Sequence, residues 1–213
     1  MAPTLVNVAI GALLAAALLG AAFDRRSVLI VLVAAALPDA DAAISLVVQG
    51  ATNAALHNVF VPAIAGGLLY WDTTVRETSW LRERYGWWGV RVSWVALASF
   101  VVAGIGADLF SHVGVNVLWP VHDRFYAVSG YFFYSTHRGI VQTYVVFGTD
   151  VLLPLQSPGT TENYFVPSWI NPTAGTGTPA DVERELTLVE SGWQAVVVAT
   201  GAAVLAVRFW EDR

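Results

Sequence analysis

The chain has 213 residues, 56% hydrophobic and only 13% charged, with mean hydropathy +0.58 and net charge −5. Soluble domains carry about 25% charged residues, so this composition excludes an ordinary soluble fold, and the acidic balance excludes a general nucleic-acid binder, which needs basic surface. Cysteine is absent, which excludes disulfides, thiolate metal sites and a Cys nucleophile, and all eleven basic residues are arginine.

In chain order, the first apolar run covers Leu5 to Phe23. Its length of about 19 residues suits a ~30 Å hydrocarbon core. Asn7 is its one strongly polar member. A signal peptide is the rival reading. The run lacks a basic leader, however, and a second apolar run follows at once, so a span is expected. That second run extends from Ser27 to Val48 and is interrupted by Leu37-Pro38-Asp39-Ala40-Asp41. Carboxylates inside a span are costly and mark function. A third run, Ala54 to Trp71, contains His57 and Pro62. The polar stretch from Asp72 to Gly89 pairs Arg76, Arg82 and Arg84 with Trp80, Trp87 and Trp88, the composition of an interfacial belt. A fourth run, Val90 to Leu109, carries Asp108 near its end.

Residues 110–190 differ in character, with six of the nine prolines and many Gly, Thr, Asn and Tyr. They predict a folded cap outside the bilayer, rich in aromatics and so not a disordered linker. The cap is expected to close over Asp41, His57 and His112 as a lid. Within it, residues 140–155 are apolar but short for a span and predict a re-entrant helix. Residues 180–190 predict a short acidic amphipathic helix. Residues 193–210 form a final span inside a closing segment, 191–213. The expected fold is therefore all-α: a polytopic membrane protein of about five spans, residues 1–109 carrying four of them, plus the cap.

Arginine placement sets the expected topology. With the N-terminus outside, eight arginines (Arg25, Arg26, Arg76, Arg82, Arg84, Arg91, Arg208 and Arg213) fall inside. The cap falls outside and carries three arginines against seven acids. This orientation, in a cell membrane, gathers Asp39, Asp41, His57, Asp108 and His112 at the outer face. Asp108 and His112, four residues apart, would share one helix face. Pro38 would break the helix and let Asp39 and Asp41 turn to one site. Carboxylate and imidazole donors suit Zn²⁺ or Mn²⁺, and an all-carboxylate subset Mg²⁺. Such an ion would offset the burial of three carboxylates and could activate water. Each residue alone has a plainer reading: a helix cap, an interfacial histidine, a local pair. The sequence contains no GxSxG, phosphate-loop, HExxH or zinc-finger spacing.

The motifs Leu37-Pro38-Asp39-Ala40-Asp41, His57 and Asp108-Leu109-Phe110-Ser111-His112-Val113-Gly114-Val115-Asn116-Val117-Leu118-Trp119-Pro120 resemble a family of small membrane proteins. These are the LexA-binding, inner-membrane-associated, metal-dependent hydrolase-like proteins. The resemblance runs from about Thr4 to Gly130. It implies a metal site of Asp39, Asp41, His57 and Asp108; His112, one turn after Asp108 rather than before it, is off the family pattern and is expected, from its place at the same face, to be a further ligand or general acid/base. The expected function is a membrane-embedded metal-dependent hydrolase-like protein with its site at the outer face, acting on a lipid-like or phosphoester substrate met among membrane lipids. Two family histidines have no counterpart: Asn7 and Gly104 stand in their places, and Thr136-His137-Arg138-Gly139 falls late in the chain. A catalytically degenerate scaffold or partner-binding protein is accordingly the alternative function.

Overall fold

A computed structural model describes residues 2–146, 152–177 and 180–211. The described chain is mostly helical, with one two-stranded sheet. It divides into two compact units. A helical unit comprises Ala2–Ala40, Val59–Ile105 and the chain from Leu186 on; a loop-rich unit comprises Asp41–Asn58 and Gly106–Glu185.

In the helical unit, α1 (Thr4–Leu18) is followed by a tight turn at Gly20, which takes φ +56°. α1 is 15 residues long. At 1.5 Å per residue it rises about 22 Å, short of a ~30 Å hydrocarbon core. The apolar run is longer than the helix because its last residues turn rather than continue. Next comes α2 (Arg25–Ala36), capped by Asp24, whose carboxylate accepts from the Ser27 N–H at 2.8 Å. α4 (Phe60–Tyr70) extends through a wide turn to Val75 and buries none of its residues. α5 (Trp80–Ser99) is capped by Ser79, whose hydroxyl accepts from Arg82 N–H at 3.1 Å and donates to Asp72 at 2.8 Å. Gly86, at φ 65° and ψ −161°, interrupts α5. From Trp87 the helix runs through a wide segment, Phe100–Gly106, to α6 (Ala107–Leu109). α7 covers Gly192–Glu211.

Three helices are long and apolar enough to cross a membrane: Arg25–Ile44, Trp80–Leu109 and Gly192–Glu211. That supports a membrane protein but corrects the expected five spans, since Thr4–Leu18 and α4 fall short. Small residues bring the helices together. A Cβ on Gly11 would lie 2.7 Å from Ala35 Cβ, and one on Gly201 2.8 Å from the Ala9 carbonyl, so both positions require glycine for close backbone approach. Ala15, Leu19, Val28, Val31, Val92 and Val95 form the buried core beside these contacts.

The loop-rich unit is held by polar anchors more than by regular structure. Asn53 takes φ 56°, and its Nδ2 donates to the Gly114 carbonyl at 3.0 Å. Asn116 N–H donates to Asn53 O at 2.8 Å. Asp123 accepts from Asn116 Nδ2 at 2.6 Å and from Thr161 Oγ1 at 2.6 Å. Ala54, Phe125 and Val166 make a small core, with Phe125 edge-on to Tyr164 at 5.2 Å between ring centres. β1 (Phe132–Ser135) pairs antiparallel with β2 (Gly139–Gln142).

Two cap expectations are corrected here. Residues 140–142 are a strand and Val145 bridges Leu155, so the described part of 140–155 is extended rather than a re-entrant helix; 147–151 lie outside the described residues. Aromatic and β-branched residues flank a turn closed by Gly139 at φ 67°, a hairpin pattern. Residues 182–187 are likewise not helical. There Arg184 Nη1 donates to the Trp169 and Ile170 carbonyls at 2.8 and 2.7 Å, which fixes the segment in an extended course.

Candidate metal centre

The loop-rich unit brings three of the expected site residues together. Asp41 opens the short helix α3 (Asp41–Ile44), His57 lies in the irregular chain that follows, and Asp108 sits in α6. All three are buried, and the side chains of the pairs they form show 0% exposure. His57 Nδ1 lies 2.8 Å from Asp41 Oδ2, and Nε2 lies 3.1 Å from Asp108 Oδ2. One imidazole is therefore held between two carboxylates.

Electrostatics make this arrangement informative. A carboxylate only accepts, so with Asp41 ionised the Nδ1 position carries the proton. Nε2 then offers a lone pair facing an oxygen of Asp108, which is repulsive unless a proton or a metal ion lies between them. Even with a doubly protonated ring, the trio has two negative charges against one positive. The second oxygen of Asp41, Oδ1, is buried with no hydrogen-bond partner among the described residues. Buried charge of this kind is strongly disfavoured unless a proton or a further cation offsets it. The buried acid and imidazole donors, His57 and Asp108 among them, could hold a metal ion.

Asp39 is also buried, at 8% exposure, and belongs to the helical unit. Asn7 Nδ2 lies 3.2 Å from both of its carboxylate oxygens. The expectation that Pro38 merely breaks the helix needs refinement. Leu37–Ala40 is one tighter helical turn, and the Pro38 ring packs on Gly104. A Cβ on Gly104 would run into Pro38 Cγ and would lie 3.1 Å from the Ala35 carbonyl. No histidine fits there.

His112 departs from expectation. The helix carrying Asp108 ends at Leu109, so the two residues do not share a helix face. Ser111 Oγ donates to the Asp108 carbonyl at 2.7 Å and accepts from Gly114 N–H at 3.3 Å, and Gly114 at φ 76° turns the chain. His112 is left exposed, without a hydrogen bond or ion pair among the described residues, while Asp41 and His57 are covered. The cap therefore does not close over His112.

Two residues that support the site's surroundings carry little signal in the sequence. Asn7 is a polar residue in an apolar run, with nothing to mark it as the partner of Asp39. Asn53 carried no signal beyond being an asparagine, the residue type that tolerates positive φ. No protein-family model, curated protein or solved structure matches this chain.

Proposed function

We propose that this is a membrane-embedded, divalent-metal-dependent hydrolase-like protein whose ion is held by His57 Nε2 and Asp108. The observation that carries the reading is the fully buried imidazole between two carboxylates. The donors fit the ion. Metal–nitrogen and metal–oxygen bonds of about 2.0–2.2 Å at roughly right angles leave their ends ~3 Å apart, and the Nε2 to Oδ2 separation is 3.1 Å. In this reading Asp41 acts through His57: it holds the Nδ1 proton, fixes the ring and makes Nε2 a better donor. Asp39 stands two residues earlier on the chain, and the resemblance assigns it to the same ion. When bound, the ion would supply a Lewis acid and lower the pKa of water toward ~7. The substrate class is a lipid-like molecule or phosphoester. In this reading the shorter Thr4–Leu18 and residues 60–75 also pass through the bilayer, and the arginine distribution then puts the N-terminus and residues 110–190 outside.

A second reading, a catalytically silent scaffold, is favoured by one contact. Asn7, where the resembling family has an ionisable ligand, uses its amide to hold Asp39 instead. Metal content separates the two. Elemental analysis of detergent-purified protein should find one divalent ion per chain, absent from an Asp39→Ala/Asp108→Ala double variant. Wild-type protein with no metal above background overturns the hydrolase reading.

A further inference from the structure

In the helical unit, the C-terminal end of α1 and the adjoining face of α5 enclose a groove of about 630 Å³. That is the size of a small-molecule site. Leu18, Trp87, Trp88, Arg91, Trp94 and Val95 line it. Positions 87, 91, 94 and 98 recur every three or four residues and so form one stripe of the helix.

Arg91 is fixed at the head of this stripe. Its Nε donates to the Leu18 carbonyl at 2.8 Å, which satisfies one of the open acceptors at the end of α1. Its guanidinium passes over Gly20, where a Cβ would come within 3.3 Å of Nη2. Nη1 and Nη2 have no partner among the described residues, and neither do the indole N–H groups of Trp87 and Trp94. The surroundings are positive. Arg26 stacks over Trp88 at 5.2 Å and Arg82 over Trp87 at 4.3 Å. The carboxylate beside them, Asp24, is occupied by the Ser27 N–H and the Trp88 indole, each at 2.8 Å.

We propose that this groove holds an anionic phospholipid, its phosphate on the free edge of Arg91 and an acyl chain along Trp94, Val95 and Ala98. A planar guanidinium with two free donors matches a phosphate. The indole N–H of Trp87, about one helical turn before Arg91, suits a glycerol ester oxygen. Below Arg91 the wall turns apolar for about 10 Å of helix, on a helix apolar enough to cross a membrane. A free anion would leave that wall uncovered, so the lipid is the occupant. This site is independent of the metal reading.

Native mass spectrometry of the protein in non-ionic detergent tests it, with phosphatidylglycerol, phosphatidylcholine and inorganic phosphate as probes. Wild-type protein should retain one phosphatidylglycerol with roughly tenfold preference over phosphatidylcholine. Inorganic phosphate should not compete. Arg91→Gln should bring the preference within twofold, while Arg138→Gln, exposed in the hairpin turn of the loop-rich unit, leaves it intact. Trp94→Ala should weaken retention of both lipids yet keep the preference. Far-UV circular dichroism checks that Arg91→Gln keeps its helices; if it does not, the Trp94→Ala outcome decides. Equal retention of the two lipids by wild type, full competition by phosphate, a folded Arg91→Gln with unchanged preference, or Trp94→Ala with unchanged retention each overturns the proposal.

Discussion

Replacing Asp41 by Asn isolates the role of the buried carboxylate that touches His57. The substitution keeps shape and an oxygen able to accept from Nδ1, 2.8 Å away, but removes the charge. If Asp41 acts by orienting and polarising the ring, its loss should weaken metal affinity 10–100-fold. That corresponds to about 1.4–2.7 kcal/mol. Stoichiometry should stay at one ion per chain, because His57 Nε2 and Asp108 remain. The apo protein should change little in stability, since losing one of the trio's two negative charges offsets an amide NH2 standing where the unpartnered Oδ1 was. Titration calorimetry on chelator-stripped protein in detergent, with Zn²⁺ and Mn²⁺, measures the first quantity. Thermal unfolding with and without metal measures the second. An ion at a hundred times its Kd stabilises by about 2.7 kcal/mol, or roughly 5–10 °C for a chain of this size. An affinity within twofold of wild type refutes the orienting role. Complete loss of the ion would make Asp41 a ligand instead.

The exposed His112 should be dispensable for metal, so His112→Ala should leave ion content at wild-type level by elemental analysis. Asp24→Ala should cost about 1 kcal/mol by removing the cap of α2, measured by thermal unfolding. Although burial pushes the Asp24 carboxyl up, hydrogen bonds from Ser27 and Trp88 outweigh it and hold the group below its ordinary value of 3.8. Its contribution is therefore full above that value and lost as pH falls through the lower folded-state pKa, a loss Trp88 fluorescence should follow and Asp24→Ala should abolish. A cysteine at Thr136, exposed in the hairpin turn, should react with an impermeant thiol reagent on intact cells, and one at Thr78 should not; the reverse pattern inverts the orientation.

The spans were legible where hydrophobic length and helix length coincide, as in Arg25–Ile44 and Gly192–Glu211. They were misjudged where an apolar run contains a turn, because hydropathy does not register the positive φ of Gly20. The strand at 140–142 was read as helix since a short apolar run has no period that separates the two states. The buried donors were visible because acids and a histidine within apolar runs are expensive. Their separate roles were not. Spacing placed Asp39 and Asp41 as equals, whereas Asp39 is held by Asn7 and Asp41 by His57. The pairing of Asp108 with His112 assumed a helix that Ser111 and Gly114 end.

Gly104 and Asn7, the two positions where the sequence resemblance leads one to expect a histidine, bear on the site differently. Gly104 is a packing requirement: Pro38, itself part of the acidic motif, fills the space a side chain would need. A side chain there would displace the turn that carries Asp39. Asn7 is in direct contact with the acidic motif. Its amide meets both oxygens of Asp39 without adding charge. A neutral donor stabilises a buried carboxylate but cannot cancel it. Charge left on these buried acids can be offset by a proton or by a bound cation, and the buried acid and imidazole donors could hold such a cation, which is the balance the metal measurements above test.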